Sequence, residues 1–278
     1  MHDLKWIRDN PDDFDAGLKR RGLEGLAASV LELDVQNRSV LTKLQTLQAD
    51  RNETSKKIGQ VKKERGDAIE LMARVSAMKD EMAALEEEQR SISDRIKTHL
   101  LSIPNLPHAD VPDGASEDDN VELRRVGEPK TRGYEIKDHI ALGESLGGMK
   151  FDAAAKISGA RFTVLTGPLA RLERAIAQLM LDTHTQENGY TEVNPPVLVK
   201  DNALLGTGQL PKFADDLYKT EDDLWLIPTA EVPLTNLVAD TILSTSDLPL
   251  RFTAFTPCFR REAGAAGKDT RGMIRQHQ

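Results

Sequence analysis

The sequence predicts an α+β protein in which a long antiparallel helical hairpin, a coiled coil, precedes an antiparallel β-sheet domain with flanking helices. Two gaps in the composition carry this prediction. No proline lies between Pro11 and Pro104, and no aromatic residue lies between Phe14 and Tyr134. Because proline breaks helices and large rings build globular cores, this interval is typical of long, thin helices. Beyond it the aromatic residues return, and the pattern of apolar residues becomes mixed.

The overall charge limits the partners of this chain. Its 278 residues contain 37 Lys plus Arg against 45 Asp plus Glu, which gives a net charge of -8 at pH 7. Any contact with a nucleic acid must therefore use a local basic patch. The length leaves room for two domains of about 150 residues each.

The single cysteine and the N-terminus favour a cytoplasmic protein. Cys258 alone excludes an internal disulfide framework and fits a reducing compartment. The N-terminus is charged from its third residue, and no uncharged apolar stretch of about 18 residues occurs. We therefore expect neither a secretion signal nor a membrane span.

Two series of mostly apolar residues, spaced alternately by three and four, predict the two helices of the hairpin. The first series is Val30, Leu33, Asn37, Val40, Leu44, Leu47, Arg51, Thr54, Ile58 and Val61, and the second is Val75, Met78, Met82, Leu85, Gln89, Ile92 and Ile96. Gly66 and Asp67 lie between them as a stop and a restart, so the helices are expected to pack antiparallel. The polar members, such as Asn37 and Gln89, are expected to fix the register at a cost in stability.

The segments on either side of the hairpin predict a cap and a linker. The residues expected to form a small helical cap on the hairpin base are Trp6, Ile7, Phe14, Leu18 and Leu23. After the hairpin, IPNLPHADVPDGASEDDN is rich in Pro, Asp, Asn and Gly, which is typical of an irregular linker. The sequence thus divides into a helical arm over residues 1–103, a linker over 104–130 and a sheet domain over 131–278.

Within the sheet domain, apolar spacing predicts one helix and several strands. The helix covers residues 169–185, with its apolar side formed by Leu172, Ile176, Leu179 and Met180. Strands are predicted over residues 191–199, 225–228 and 252–261.

The most informative stretch is the basic one near residue 260. Phe259-Arg260-Arg261-Glu262 places two arginines and a carboxylate at a strand end. The loop that follows adds Gly264, Gly267, Lys268, Arg271, Gly272 and Arg275. Guanidinium groups match phosphate oxygens and stay charged, so such a strand, loop and returning strand can hold a polyphosphate. A solvated basic hairpin carries the same charges, and charge alone does not decide between the two interpretations.

This stretch resembles motif two of class II aminoacyl-tRNA synthetases, in the form carried by seryl-tRNA synthetases. Further matches upstream are IPNLPHADVP (103–112), KISGARF (156–162), GYTEV (189–193) leading to two prolines as in motif one, and Thr229-Ala230-Glu231. The hairpin also resembles the N-terminal arm with which bacterial-type seryl enzymes grip the long variable arm of their tRNA. The resemblance spans the whole chain, and the ordered combination is more specific than any one motif.

The resemblance implies a serine-tRNA ligase, which activates serine with ATP to seryl-adenylate and transfers it to tRNA(Ser). Arg260 would be the catalytic residue, because it would hold the α-phosphate of ATP and spread the charge that builds as the serine carboxylate attacks. Arg261 would be a further ATP-binding residue. Glu262 would accept a hydrogen bond from the adenine amino group, and Arg271 would contact the far end of the triphosphate.

The resemblance also implies a serine site at Thr229, Ala230 and Glu231. A hydroxyl and a carboxylate are the acceptors that the substrate ammonium group requires. The residues alone favour a helix N-cap instead, because Thr-Ala-Glu-Val-Pro precedes the apolar run Leu234, Leu237 and Val238.

A local excess of cations marks the tip of the hairpin. The residues are Lys56, Lys57, Lys62, Lys63 and Arg65, which with the single acid Glu64 give a local charge of +4. In an otherwise acidic chain this predicts contact with tRNA phosphates. The alternative is a solvated helix face, which both helices of a hairpin need in any case.

The remaining expectations concern bound metals, the part of the catalytic domain beyond Gln278 and the oligomeric state. Six histidines form no HxxH or HExxH pattern, and one cysteine cannot build a Cys-rich zinc site, so no structural metal is expected. The resemblance implies that the Mg²⁺ ligands, the residue that reads the serine hydroxyl and motif three lie beyond Gln278, so we expect an inactive truncated form. It also implies a homodimer through the motif-one region. The alternative is a non-catalytic tRNA-binding or coiled-coil interaction protein derived from a synthetase.

Overall fold

The computed structural model describes residues 2–263 and 270–278 and divides into two compact units, Met1–Val126 and Gly127–Gln278. The first unit is a long helical hairpin with a small helical cap, and the second mixes helices with small β-sheets. The predicted α+β class is therefore confirmed. Gly264, Gly267 and Lys268 of the basic loop lie outside the described residues.

The first unit consists of helices, and acidic side chains accept N–H groups at the starts of two of them. The helices are α1 (Leu4–Asp9), α2 (Pro11–Lys19), α3 (Ala27–Lys63) and α4 (Ile69–Ser102), followed by a 3₁₀ turn over Glu117–Asp119. Asp3 Oδ1 accepts the Lys5 N–H at the start of α1 (2.8 Å). Asp15 Oδ1 accepts the N–H groups of Leu26 and Ala27 at the start of α3 (2.8 and 2.9 Å). These bonds satisfy donors that a helix start otherwise leaves free.

The predicted heptad series forms the contact between α3 and α4. Every position of both series is buried or half-buried, and the residues between them are mostly exposed. Two of the polar members meet across the seam, where Gln89 Nε2 donates to Asn37 Oδ1 (3.4 Å). The antiparallel hairpin is thus confirmed.

The turn between α3 and α4 differs in detail from the prediction. Arg65, not Gly66, takes the left-handed conformation that ends α3, with a φ of 56°. The Gly66 N–H donates to Val61 O (2.9 Å), and a Cβ on Gly66 would lie 3.0 Å from the Val61 side chain. Gly66 is therefore needed for this close approach rather than for its φ. The predicted start of the second helix after Asp67 is confirmed, because α4 begins at Ile69 and Asp67 Oδ1 accepts the Ile69 N–H (2.9 Å).

The cap on the hairpin base is built from α1 and α2. Ile7, Phe14 and Leu18 are fully buried against the hairpin, as expected. The prediction that Trp6 and Leu23 also belong to the buried cap is wrong, since their exposed fractions are 39 and 40%. The cap is too small to enclose all five side chains, so its outer positions face solvent.

Sequence reasoning missed a buried carboxylate that fastens the cap to the hairpin. Asp34 is 2% exposed and lies on α3. Arg8 of α1 donates to both of its oxygens, from Nε (2.9 Å) and Nη2 (3.0 Å). Arg38 Nε lies 3.0 Å from Asp34 Oδ2. Such a fork of charge-assisted bonds compensates the carboxylate for its removal from water.

We predict that Asp34→Asn destabilises the helical unit by about 1.5 to 3 kcal/mol, the range for hydrogen bonds to charged groups. The measurement is urea denaturation followed by far-ultraviolet circular dichroism, with the m-value unchanged. Glu32→Gln is the matched control, because Glu32 is an exposed acid on the same helix. Equal midpoints for the two variants would show that the Asp34 cluster contributes no stability.

The second unit contains short elements. They are α5 (His139–Ser145), β1 (Met149–Lys150), α6 (Phe151–Ser158), β2 (Val164–Leu165), α7 (Pro168–Gln186), β3 (Thr191–Glu192), β4 (Leu198–Val199), α8 (Asp201–Gly206), β5 (Trp225–Leu226), α9 (Glu231–Asn236) and β6 (Phe252–Thr253), with 3₁₀ turns at Ala214–Asp216 and Thr245–Asp247. Strands β1 and β2 pair antiparallel, as do β4 and β5, whereas β3 and β6 pair parallel. In the parallel pair, Thr191 lies opposite Phe252.

The predicted strands are longer than the observed ones. Residues 191–199 form two separate two-residue strands, because Pro195 and Pro196 between them cannot donate to a ladder. Of residues 252–261 only β6 lies in a ladder. The remainder has no regular secondary structure and forms single backbone bonds, such as Phe259 N–H to Ile227 O (2.8 Å).

Helix α7 agrees with its predicted bounds to within one residue at each end. Its predicted apolar side is exposed, by 43 to 66%, at Leu172, Ile176, Leu179 and Met180. The buried core of the unit lies elsewhere, around Leu204, Trp225 and Val232. Among the described residues, no helix combines the length and apolarity needed to cross a membrane.

Candidate active site

Arg260 lies where an extended segment meets the last residues of the chain. Its N–H donates to His277 O (2.9 Å), and its own carbonyl lies 2.9 Å from His277 Nδ1. The Arg260 Nε donates to Pro228 O (3.3 Å). Because Pro228 directly precedes Thr229, this bond brings the predicted catalytic arginine next to the predicted serine-binding residues.

A cavity of about 260 Å³ opens beside Arg260. Its lining residues are Gln209, Phe213, Asp216, Leu217, Pro228, Arg260 and Glu262. An aromatic ring, apolar side chains, a guanidinium and carboxylates thus surround one concave space. This mixture suits a ligand with a flat ring and a negatively charged group.

Glu262 is held in place from two directions. Its Oε2 lies 3.3 Å from Arg275 Nη1, and its side chain is 16% exposed. Its carbonyl accepts from Arg161 Nη1 (3.5 Å). The backbone of Glu262 is left-handed, with a φ of 50°, which is uncommon for a residue other than glycine. Such conformations cluster at functional sites.

Arg261 is exposed to solvent. The backbone around it is anchored to Asp216: the Arg261 N–H donates to Asp216 O (2.8 Å), and the Ala263 N–H donates to Asp216 Oδ1 (2.7 Å). Asp216 therefore fixes the segment that carries Arg260 and Glu262. Sequence reasoning did not find it, because it lies more than 40 residues earlier in the chain.

Arg271 is not brought to the Arg260 cavity by this structure. Its Nε and Nη2 donate to Asp138 Oδ2 (3.0 and 2.6 Å), and its side chain is 71% exposed. The pKa of Asp138 is lowered first by the Ala141 N–H that its carboxylate accepts and then by the Arg271 guanidinium. The arginine that lies beside Glu262 is Arg275.

The predicted serine-binding residues lie at the start of α9. Glu231 is the first residue of the helix and is exposed. Thr229 Oγ1 accepts the Glu231 N–H (3.3 Å), but the N-cap position of α9 is held by Ala230. A hydroxyl oxygen has two lone pairs, and one bond leaves the second for a ligand. The bond to the Glu231 N–H and a binding role are therefore compatible.

The cations at the arm tip lie on the solvent side of the hairpin. Lys56, Lys57, Lys62, Lys63 and Arg65 are all exposed, since the heptad positions between them face α4. The Lys57 ammonium pairs with the Glu53 carboxylate (2.7 Å) and lowers its pKa.

Helix α7 and the segment after β6 border an apolar groove of about 570 Å³. It is lined in part by Leu172, Ile176, Met180 and Phe255. Residues 2–263 and 270–278 present no group of three or more His, Cys, Asp and Glu side chains able to hold a metal ion.

Comparison with known proteins matches a part of each unit to a synthetase domain. Residues 1–107 match the Seryl-tRNA synthetase N-terminal domain, and residues 213–278 match the tRNA synthetase class II core domain (G, H, P, S and T). Curated relatives include the "Serine--tRNA ligase" of Paramagnetospirillum magneticum, 63% identical, and that of Rhodospirillum centenum, 59% identical. Both align with 100% of this chain, which spans 66 and 65% of their length.

Solved structures agree with the sequence relatives. The seryl-tRNA synthetase of Pyrococcus horikoshii, complexed with ATP, superposes with a TM-score of 0.84 at 36% identity, over 100% of this chain and 67% of its own. The cytoplasmic serine-tRNA ligase of Naegleria fowleri, in complex with AMP, gives a TM-score of 0.79 at 26% identity, over 100% of this chain and 68% of its own. The chain therefore belongs to the seryl-tRNA synthetase family.

Proposed function

We propose that the protein carrying this chain is a serine-tRNA ligase, which activates serine with ATP and transfers it to tRNA(Ser). The observation that carries the proposal is the bond from Arg260 to Pro228 O (3.3 Å), which joins the predicted ATP site to Thr229 and Glu231. The first step needs a serine carboxylate beside the α-phosphate of ATP, so the two sites must be adjacent. Relatives at 63 and 59% identity bear the matching name.

In the activation step a serine carboxylate oxygen attacks the α-phosphorus of ATP, and pyrophosphate leaves. Negative charge builds on the phosphorus oxygens, and the Arg260 guanidinium would stabilise it. Glu262 would orient the adenine by accepting from its amino group. Arg261 would add a further positive charge near the phosphates. A ribose hydroxyl of the tRNA then attacks the acyl carbon, and AMP leaves.

The serine ammonium group would lie between Thr229 and Glu231, beside Ala230. An exposed carboxylate and a hydroxyl oxygen with a lone pair to spare are suitable acceptors for it. The predicted contact of Arg271 with the far end of the triphosphate would require its guanidinium to exchange the Asp138 carboxylate for phosphate.

The protein ligands of the Mg²⁺ expected to accompany ATP would lie beyond Gln278. Residues 2–263 and 270–278 offer no group of three or more His, Cys, Asp and Glu side chains able to hold a metal ion. We therefore assign no step of the reaction to a metal ion.

The arm over residues 1–103 would bind tRNA(Ser), the linker would cover 104–130, and residues 131–278 would form part of the catalytic domain. The exposed cations at the arm tip support the tRNA role, because phosphate contacts need accessible cations. A cytoplasmic location would follow from the activity.

Serine-dependent exchange of pyrophosphate into ATP tests the proposed activity in a full-length form of the protein. Exchange with serine is expected. No exchange with any amino acid would favour the non-catalytic RNA-binding alternative.

A homodimer through the motif-one region is the proposed assembly. The helix directly before the motif-one residues is α7, whose apolar side is exposed. We predict that the double variant Leu172→Asp and Ile176→Asp converts a dimer into a monomer, because each charge would have to be buried in an apolar interface. Sedimentation velocity measures the change. The control is Ile157→Asp, a residue 77% exposed on α6, which should leave the dimer intact. A monomeric parent, or a double variant that stays dimeric, contradicts this interface.

A further inference from the structure

The last residues of the chain, 270–278, are fastened to the N-terminal end of α5. We call them the return segment. Arg271 forms its two bonds with Asp138, and the Met273 N–H donates to His139 Nε2 (2.9 Å). Asp138 Oδ1 also accepts the Ala141 N–H (2.8 Å) at the start of α5. One carboxylate thus fixes both the helix start and the segment.

Gly272 shows how closely the return segment approaches α5. It lies between the two fastened residues in a left-handed conformation, with a φ of 58°. A Cβ at this position would overlap with His139 Nε2 and lie 2.7 Å from Ile140 Cγ1. The conformation and the lack of space both require glycine. The contact of the return segment with α5 therefore includes close packing at Gly272 as well as the ion pair between Arg271 and Asp138.

The other end of the return segment reaches the Arg260 cavity. Arg275 lies beside Glu262 (3.3 Å), and His277 exchanges backbone and ring contacts with Arg260 (2.9 Å each). Gln276 Oε1 accepts from Thr163 Oγ1 (2.9 Å). The segment therefore links the start of α5 to the residues expected to bind ATP.

We propose that Asp138 and His139 are positioning residues, which hold the return segment so that Arg275 and His277 keep Glu262 and Arg260 in place for ATP. This inference rests on the proposed function. It assigns Arg271 an anchoring role in place of the predicted contact with the triphosphate.

The two roles of Arg271 give opposite expectations for Asp138→Asn. Asparagine keeps a carbonyl oxygen for the Ala141 N–H and is a good N-cap, so the helix start is preserved while the charge is lost. If Asp138 anchors the segment, its loss disorders the site and weakens ATP binding. If Asp138 only withholds Arg271 from phosphate, its loss tightens ATP binding.

The experiment measures ATP affinity by titration calorimetry, and hydrogen exchange at the Met273 amide, in the 278-residue chain. We expect Asp138→Asn and His139→Ala each to weaken ATP binding about tenfold and to expose the Met273 amide. His139→Gln should restore both, because its side-chain oxygen can accept the Met273 N–H. Asp152→Asn, an exposed acid in the first turn of α6, is the matched charge control and should change neither.

Tighter ATP binding by Asp138→Asn, or equal effects of His139→Ala and His139→Gln, would overturn the positioning role. Arg271→Gln combined with Asp138→Asn should weaken binding no more than either change alone, since both remove one contact. If the unsubstituted chain fails to bind ATP, Met273 exchange decides the anchoring by itself, and the proposed function is tested separately by pyrophosphate exchange in the full-length form.

Discussion

Replacing Arg260 with alanine in a full-length form of the protein should lower the rate of serine activation by about 10²-fold or more. The guanidinium would stabilise charge that exists only in the transition state, so the loss should fall on kcat rather than on the affinity for serine. Pre-steady-state formation of seryl-adenylate measures it. The position beside the 260 Å³ cavity and the bond to Pro228 O support this role.

Arg251→Ala is the control for this change. Arg251 is exposed, precedes β6 in the same unit and loses the same charge. Its activation rate should stay within about twofold of the parent, as expected for a surface substitution. A loss below roughly threefold in Arg260→Ala would mean that the motif is misassigned, because one transition-state stabiliser contributes far more.

Changing Lys56, Lys57, Lys62 and Lys63 together to glutamate should weaken tRNA binding and reduce its dependence on salt. If each lysine neutralises one phosphate, the slope of log affinity against log salt should become shallower by roughly 3 to 4 units. Filter binding over a range of salt concentrations measures the slope. Serine activation should be unchanged, because that step needs no RNA.

A matched variant separates tip contacts from general charge. Lys43, Lys79 and Lys97 are exposed on the same two helices but outside the tip cluster. Their change to glutamate should alter the slope by less than about one unit, since no phosphate is released. An unchanged slope in the tip variant, with helicity intact, would return those lysines to the solvated-face interpretation.

The hairpin could be predicted because its information is local. Apolar residues recur at the heptad positions that are buried between the helices, and this pattern continues along two helices of more than thirty residues each. Asp34 escaped this pattern, because its burial depends on Arg8, which lies 26 residues earlier. The periodicity locates a seam but not a polar contact with a separate helix.

The sheet domain was harder, because its pairings join distant segments. Thr191 pairs with Phe252, and proline interrupts the run that propensity alone extends to residue 199. Contacts between distant segments also explain why the site was predicted only in part. The resemblance to motif two predicts Arg260 and Glu262 as site residues, but the contact between Arg271 and Asp138 spans 133 residues, and no local pattern indicates it.

Charging of tRNA is the most direct test of the proposed activity. A full-length form of the protein would be given ATP, unfractionated tRNA and each amino acid in turn, and the aminoacylated tRNA would be identified. We predict that serine alone becomes attached, and only to tRNA(Ser). Attachment of another amino acid, attachment to another tRNA, or no attachment at all would contradict the assignment as a serine-tRNA ligase.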